Sequence, residues 1–496
     1  MSGAPSSNLP FNPPPPGEIL GHPKQLWMLF GSEFWERFCY YGMRALLAVY
    51  VASTFFGHLP EGEANTQASL TYGGYTALVY ATGILGGMVA DRYLGYQRSI
   101  ILGGIFMAIG CFVLMIPSLN WFLLGLSIIV AGNGLFKPNI STMVGKLYAP
   151  GDSRRDSGFT IFYMGINAGA FIAPIICSIW VGATYGTRYG FMTAGIGMIL
   201  AVVVFHLRKD ILGHVGKPDP KHAGIMPILN VTIGVIAVTA VSYFLLSKSD
   251  ILGQILLALF AGLAIYLIHS GFSESKEQGQ KYIAMFILFT ANILFWALFE
   301  QAGASLNFLA KDFVNAPFHF SLFQSANPLF IILLAPVFAL LWPKLETMSM
   351  NPSIPRKFAI ALVGMAAGFA IIVFAIKNLG GAGKIHWLWL AALYLVHTMA
   401  ELCLSPIGLS MVTKLAAPKN VGLSMGGWFL ATAVANFLAG RISAIASGGG
   451  GGHAEAASGL AQYSSTFTML IYAGLIVGAI YWVFGGMINK LMHGVR

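Results

Sequence analysis

Residues 33–44 read Glu33-Phe34-Trp35-Glu36-Arg37-Phe38-Cys39-Tyr40-Tyr41-Gly42-Met43-Arg44, inside a stretch, 24–54, that is otherwise apolar enough to span a bilayer. A charge at the centre of a spanning helix costs roughly 2.5–3.5 kcal/mol on insertion scales. Lys137, Glu300 and Glu401 stand in later apolar stretches in the same way. These seven charges are expected to face one another or a watery cavity, and that cavity is where the protein works. At about 100° per residue, Glu33, Glu36, Arg37, Tyr40, Tyr41 and Arg44 fall within an arc of about 140°, which leaves the rest of the helix to lipid and neighbours. The spacing predicts a Glu33–Arg37 pair and a Glu36–Tyr40 hydrogen bond, both at i,i+4. Arg44 has no acid within reach on its own helix. Its anion must come from another helix or from a bound molecule.

Outward from this segment the chain stays apolar. Of its 496 residues 56% are hydrophobic and only 9% charged, with a mean hydropathy of +0.73. A soluble chain would carry about 25% charged residues, so this is a polytopic, all-α membrane protein. Apolar stretches near 24–54, 67–90, 98–116, 120–145, 157–179, 188–208, 225–246, 251–270, 281–304, 320–341, 356–377, 386–413, 421–445 and 463–488 predict 14 transmembrane helices. An even number puts both termini on one side. With that side cytoplasmic, 19 of the 28 Lys and Arg lie in cytoplasmic loops and tails, 6 in outer loops and 3 within spans. This asymmetry sets both termini inside. It also explains the net charge of +10, which is scattered over short loops and forms no basic face for nucleic acid.

The first 26 residues lack a basic segment followed by an apolar run, so no cleaved signal peptide is expected. Cys39, Cys111, Cys177 and Cys403 all lie in apolar spans without metal-ligand spacing. They read as buried thiols with no disulfide. No Ser/His/Asp order, His-x-x-x-His spacing or phosphate loop is present, so the chain is not expected to be an enzyme.

Residues 209–224 form the most polar connection in the first two-thirds of the chain, and they follow the sixth span. The next two spans have no ionisable residue in their apolar cores. They are expected to be packing or lipid-facing material. This gives a cytoplasmic tail at 1–23, a six-helix bundle at 24–208, a linker with two extra helices at 209–280, a second six-helix bundle at 281–490 and a tail at 491–496. The glycine run Gly448–Gly452 reads as a flexible connector. Six plus six is the plan of the major facilitator fold, two bundles with the site between them. The stretch Gly87-Met88-Val89-Ala90-Asp91-Arg92-Tyr93-Leu94-Gly95-Tyr96-Gln97-Arg98 resembles that superfamily's loop between spans two and three. Asp91 there is expected to bridge to a neighbouring helix end.

The line at 33–42, Glu-x-x-Glu-Arg-Phe followed by Tyr-Tyr-Gly, resembles the signature of the proton-coupled oligopeptide transporter family within that superfamily. Further matches stand at Phe162-Tyr163-Met164-Gly165-Ile166-Asn167-Ala168-Gly169-Ala170-Phe171, Gly134-Leu135-Phe136-Lys137-Pro138-Asn139, Phe299-Glu300-Gln301, Gln324-Ser325-Ala326-Asn327-Pro328 and Glu401-Leu402-Cys403-Leu404-Ser405-Pro406. The resemblance covers nearly the whole chain. It implies a proton-coupled symporter that imports di- and tripeptides by alternating access. It further implies a multi-pass protein of the inner (plasma) membrane, functional as a monomer in the lipid bilayer, with protons as coupling ion and no other cofactor.

The resemblance also implies roles. Arg44 and Lys137 grip the peptide carboxylate, and Glu401 takes the ammonium with Ser405 beside it in the same motif. Asn167 and Asn327 meet amide or amine groups. Tyr40, Tyr41, Tyr80, Trp296 and Trp428 line side-chain pockets. Glu33, Glu36, Arg37, Lys137 and Glu300 handle protons, with Glu300 partnering Lys137 or Arg44. A second cargo, nitrate or another small anion, suits Arg44 and Lys137, but Glu401 argues against it. The chain departs from the pattern in one respect. Some members carry a histidine in the second span, where this sequence reads Thr71-Tyr72-Gly73-Gly74-Tyr75. His397, four residues before Glu401, reads as a packing histidine.

Overall fold

In a computed structural model that describes residues 12–149, 151–379, 384–448 and 456–495, fourteen long helices follow one another. We number them in chain order. The first six are α1 (Lys24–Phe55), α2 (Glu61–Val89), α3 (Tyr96–Val113), α4 (Leu119–Gly145), α5 (Arg155–Ala173) and α6 (Thr187–Arg208). Two more, α7 (Met226–Ser247) and α8 (Ser249–Glu274), precede α9 (Lys276–Phe299), α10 (Ala326–Thr347), α11 (Ile354–Leu379), α12 (Trp387–Leu415), α13 (Val421–Ala446) and α14 (Ala456–Leu491). Gly449–Gly452 of the expected glycine connector lie outside the described residues. Thirteen of these helices are long and apolar enough to cross a membrane. The fourteenth is α1, whose length suffices but whose charged residues lower its hydropathy. Fourteen crossings leave the two termini on one face, called the terminal face below.

Helices α1–α6 pack into one bundle, through the pairs α3/α4, α1/α5, α1/α6 and α2/α4. Helices α9–α14 form a second, through α11/α14, α11/α12 and α9/α13. The bundles meet mainly where α2 lies against α13 and α5 against α10. Small residues permit the first contact. A Cβ added to Gly73 would lie 2.6 Å from the Gly440 Cα, so only glycine lets the two backbones approach this closely. Hydrogen bonds between the bundles cluster at the same level: Ser69–Ser443 at 2.8 Å, Thr66 to the Ala444 carbonyl at 3.3 Å, Ser325 to the Phe171 carbonyl at 2.7 Å and Asn307 to the Ala45 carbonyl at 3.3 Å. All lie in the half remote from the terminal face. The chamber between them is therefore closed by hydrogen bonds on the far side.

The two extra helices divide between the halves. Helix α7 packs on α4 and α2 of the first bundle, and α8 on α9 and α13 of the second, while they touch each other little. Fewer than a quarter of the residues in their most apolar stretches are buried, 17% and 22%, against 72% for α4. This exposure is in keeping with packing or lipid-facing helices, and the pair straddles both bundles. The polar linker before α7 is clamped to the first bundle. Gln97 donates to the Val215 carbonyl at 2.7 Å, Gln25 to the Ile211 carbonyl at 2.9 Å, and Arg98 to the carbonyls of His222 and Gly224 at 3.2 and 3.0 Å. Asp91 accepts a short hydrogen bond from Tyr96, the first residue of α3, and so bridges to the neighbouring helix as expected.

Candidate functional site

Two prolines shape the chamber. Pro138 lies inside α4 and Pro406 inside α12. Each lacks the N–H that would bond four residues back, and so frees the carbonyls of Gly134 and Leu402. Irregular backbone at membrane depth is tolerated where protein or a cavity satisfies it. Asn139, next to Pro138, donates to Gly86 O at 3.2 Å and Leu135 O at 2.7 Å. Lys137 and Ser405 immediately precede these prolines, and Glu401 lies one turn before Ser405.

Four charges tie α1 to α4. Glu33 and Glu36 are fully buried and Arg37 nearly so. The Arg37 guanidinium bonds both oxygens of Glu36, with Nη2 donating at 2.5 Å, and its Nε lies 3.6 Å from Glu33. Lys137 reaches across from α4 to make a close contact with the same Glu33 oxygen. Asn133, one turn before Lys137, donates to Glu36 Oε1 at 3.1 Å. Two acids and two bases balance, which is the condition under which buried charges are tolerated. Lys137 keeps 31% of its side chain exposed, so the cluster opens toward the chamber.

The expected Glu36–Tyr40 hydrogen bond is not formed. Residues at i,i+1 do not face each other on a helix, but the long Arg37 side chain folds back and claims Glu36. Tyr40 instead carries the guanidinium over its ring, 4.8 Å from the centroid.

Arg44 finds its anion in the other bundle. Its Nη2 donates to Glu300 Oε2 at 2.7 Å, and its Nε donates to the Tyr72 hydroxyl at 2.6 Å. Tyr72 in turn donates to Glu300 Oε2 at 3.2 Å, closing a three-residue ring. Arg44 and Glu300 are both nearly buried. Glu300 opens a short 3₁₀ turn, Glu300–Gly303, that ends the regular part of α9. Of the two partners that the sequence leaves open for Glu300, the structure selects Arg44. In the second bundle Asn327 of α10 donates to Glu401 Oε2 at 2.8 Å and to Thr398 at 3.1 Å. An acidic pole on α12 therefore belongs to one bundle, and the Arg44 and Lys137 cations to the other.

This arrangement can be compared with known proteins. A profile of the POT family (PTR2) matches residues 97–451. The chain belongs to the POT family. It is 37% identical over 98% of its length to the peptide transporter YePEPT of Yersinia enterocolitica, of which it covers 98%. It is 35% identical over 96% of its length to a di-/tripeptide transporter of Lactococcus lactis subsp. cremoris, of which it covers 98%. Among solved structures it resembles the peptide transporter POT in complex with sulfate, at a TM-score of 0.81, 36% identity, and 96% and 97% coverage of the two chains. It also resembles a POT family transporter in complex with 5-aminolevulinic acid, at 0.79, 31%, and 95% and 98%. The protein is a multi-pass membrane transporter of the major facilitator fold and not an enzyme.

Within this POT-family chain the remaining site residues fall into two groups. Tyr41 faces the charges, with the Arg44 guanidinium 5.6 Å from its ring and Tyr40 edge-on at 5.3 Å. Tyr80 and Ser405 are half-buried, and neither has a hydrogen bond among the described residues. Asn167 is buried, and its amide donates to the Tyr163 carbonyl of its own helix at 2.9 Å. Trp296 is half-buried against Phe295 and Phe299. Trp428 is buried between Phe289, 5.7 Å away, and the bare backbone of Gly408. His397 is the packing histidine expected, donating from Nε2 to the Met365 carbonyl at 3.1 Å and lying edge-on to Phe369. All four cysteines are free and buried, with the Cys39 and Cys111 sulfurs 3.5 Å apart.

Sequence reasoning passed over two polar contributors. Tyr72 stands where the second-span histidine was sought, and its hydroxyl completes the Arg44–Glu300 contact. Asn133 was readable as an amide four residues before Lys137 in an apolar span, on the same helical face.

Proposed function

We propose that this POT-family protein is a proton-coupled symporter that imports di- and tripeptides across the plasma membrane, with both termini in the cytoplasm and a single chain as the working unit. One observation carries the reading. Each cation suited to a peptide carboxylate is already paired with a glutamate, Arg44 with Glu300 and Lys137 with Glu33. A carboxylate ligand and a deprotonated glutamate therefore compete for the same cation. Protonation of Glu300 frees Arg44 and loosens the far-side closure. Its deprotonation expels the ligand's anionic end and draws the bundles together on that side. Glu33 Oε2, buried and without a partner among the described residues, is the oxygen left to carry a second proton.

Arg supplies a planar fork and Lys a point charge for the carboxylate. Glu401, on the opposite bundle, serves the terminal ammonium. A zwitterion then spans the gap and stabilises the closed arrangement through its own contacts, as ligand-driven alternating access requires. With the hydrogen bonds between the bundles gathered on the far side, we read this as the cytoplasm-facing state.

Dipeptide uptake into proteoliposomes, with and without an imposed inward proton gradient, tests the reading. Glu300→Gln is expected to lose gradient-driven accumulation down to the equilibrium level while retaining peptide counterflow. Accumulation against a gradient by that variant refutes the assignment. An anion cargo such as nitrate predicts no need for Glu401. Glu401→Gln is expected instead to lose uptake of peptides with free amino termini, and unimpaired uptake would remove the argument against the anion.

A further inference from the structure

We propose that the crevice between α2, α4 and α7, outside the chamber, holds one anionic phospholipid of the leaflet at the terminal face. The crevice has a volume of about 680 Å³, within the range of ligand-sized sites. One wall is the stripe of α7 from Pro227 to Val238, whose lining residues recur every three or four positions. Such a stripe is about 16 Å long at the helical rise, long enough to follow most of an acyl chain. The facing wall is formed by Leu85 and Val89 of α2 and Leu135 of α4. Gly234 lies within the stripe, and a Cβ added there would meet no atom within 4 Å, so the space beside it is empty. Leu85 and Met226 are 48% and 62% exposed, which leaves the crevice open sideways to the bilayer.

Its polarity runs in one direction. The end toward the middle of the membrane is apolar but for Thr82, whose hydroxyl is taken up by the Leu78 and Val130 carbonyls, while the end at the terminal face is edged by Lys221, His222 and Asn230. The Lys221 ammonium has no hydrogen-bond or ion-pair partner among the described residues. Asp219 is committed to capping the Lys221 backbone N–H at 2.9 Å. His222 Nδ1 is buried without a partner, and its ring leans on Tyr93 with centroids 5.7 Å apart. Arg98 holds this turn in place by donating to the carbonyls of His222, Ala223 and Gly224. An apolar slot that ends at an unpaired cation on an anchored turn complements an amphiphile with an anionic head, and basic pockets between spanning helices bind such heads. A free anion would use only the rim, and a neutral lipid only the slot.

Native mass spectrometry of the full chain in detergent reads this directly, with phosphatidylglycerol and phosphatidylcholine of identical chains as probes. Wild type is expected to retain one phosphatidylglycerol in preference to phosphatidylcholine. Lys221→Gln should weaken that preference about fivefold, the worth of one lysine near an anionic surface. Lys490→Gln, on the same face but away from the crevice, should leave it unchanged. Gly234→Leu fills the slot and should remove the bound lipid whichever head it carries. Equal retention of the two lipids by wild type overturns the proposal, as does an unaltered preference in Lys221→Gln. Displacement of phosphatidylglycerol by inorganic phosphate alone would make this an anion site and likewise overturn it.

Discussion

Helix α1 contributes to two ionic assemblies two turns apart, each built on an arginine–glutamate pair and differently connected. Glu33, Glu36 and Arg37 are bound to Lys137 and Asn133 of α4, inside one bundle. Arg44 is bound to Glu300 of α9, in the other bundle. The first assembly travels with its bundle and survives any rocking of the halves. The second exists only while the far side is closed. Charge pairs within a rigid body stabilise that body, whereas a pair across a moving boundary biases a conformational equilibrium. On the proposed reading, this is how proton binding at Glu300 would be transmitted as motion.

The sharpest way to break the comparison is to remove one acid from each assembly and ask what fails. Glu36→Gln leaves Arg37 and Lys137 facing Glu33 alone, and an uncompensated buried charge costs about 3–5 kcal/mol. Its thermal unfolding midpoint should fall several times further than that of Glu300→Gln, whose Arg44 lies at the boundary between the bundles and is hydrated once they separate there. Equal shifts would mean that the cross-bundle pair is also a structural one.

A smaller effect separates the pair from its hydroxyl support. Tyr72→Phe deprives the Arg44 guanidinium of a charge-assisted hydrogen bond, worth about 1.5–3 kcal/mol. Distances between spin labels on the far ends of α2 and α13 should shift toward the separated population, with little change in thermal stability. The smallest effect is expected at Ser69→Ala, which removes a neutral hydrogen bond to Ser443 worth about 0.5–1.5 kcal/mol from the same closure. The same labels should report a shift in the same direction but weaker than that of Tyr72→Phe. A larger shift at Ser69 would place the closing force in the α2/α13 contact instead of the ion pair.

What the sequence settled by itself was every feature that follows from local chemistry. The apolar runs set the number of helices, because a bilayer admits no unsatisfied backbone. The angular arc on α1 set which of its residues share a face, because helical geometry is fixed by the backbone. The plainness of α7 and α8 set their exposure. What only the tertiary structure decided was who pairs with whom. Arg37 takes Glu36 because a long side chain can fold back on its neighbour once both are buried. Glu300 takes Arg44 and not Lys137, because Glu33 already occupies the lysine and α9 delivers its 3₁₀ turn beside Tyr72. Tyr72 became visible only when its helix was packed, and the readable Asn133 gained its partner Glu36 only then, since a hydroxyl or amide acquires its role from the charge brought opposite it. Partner choice over such sequence separations depends on the packing of whole helices, and no local pattern encodes it.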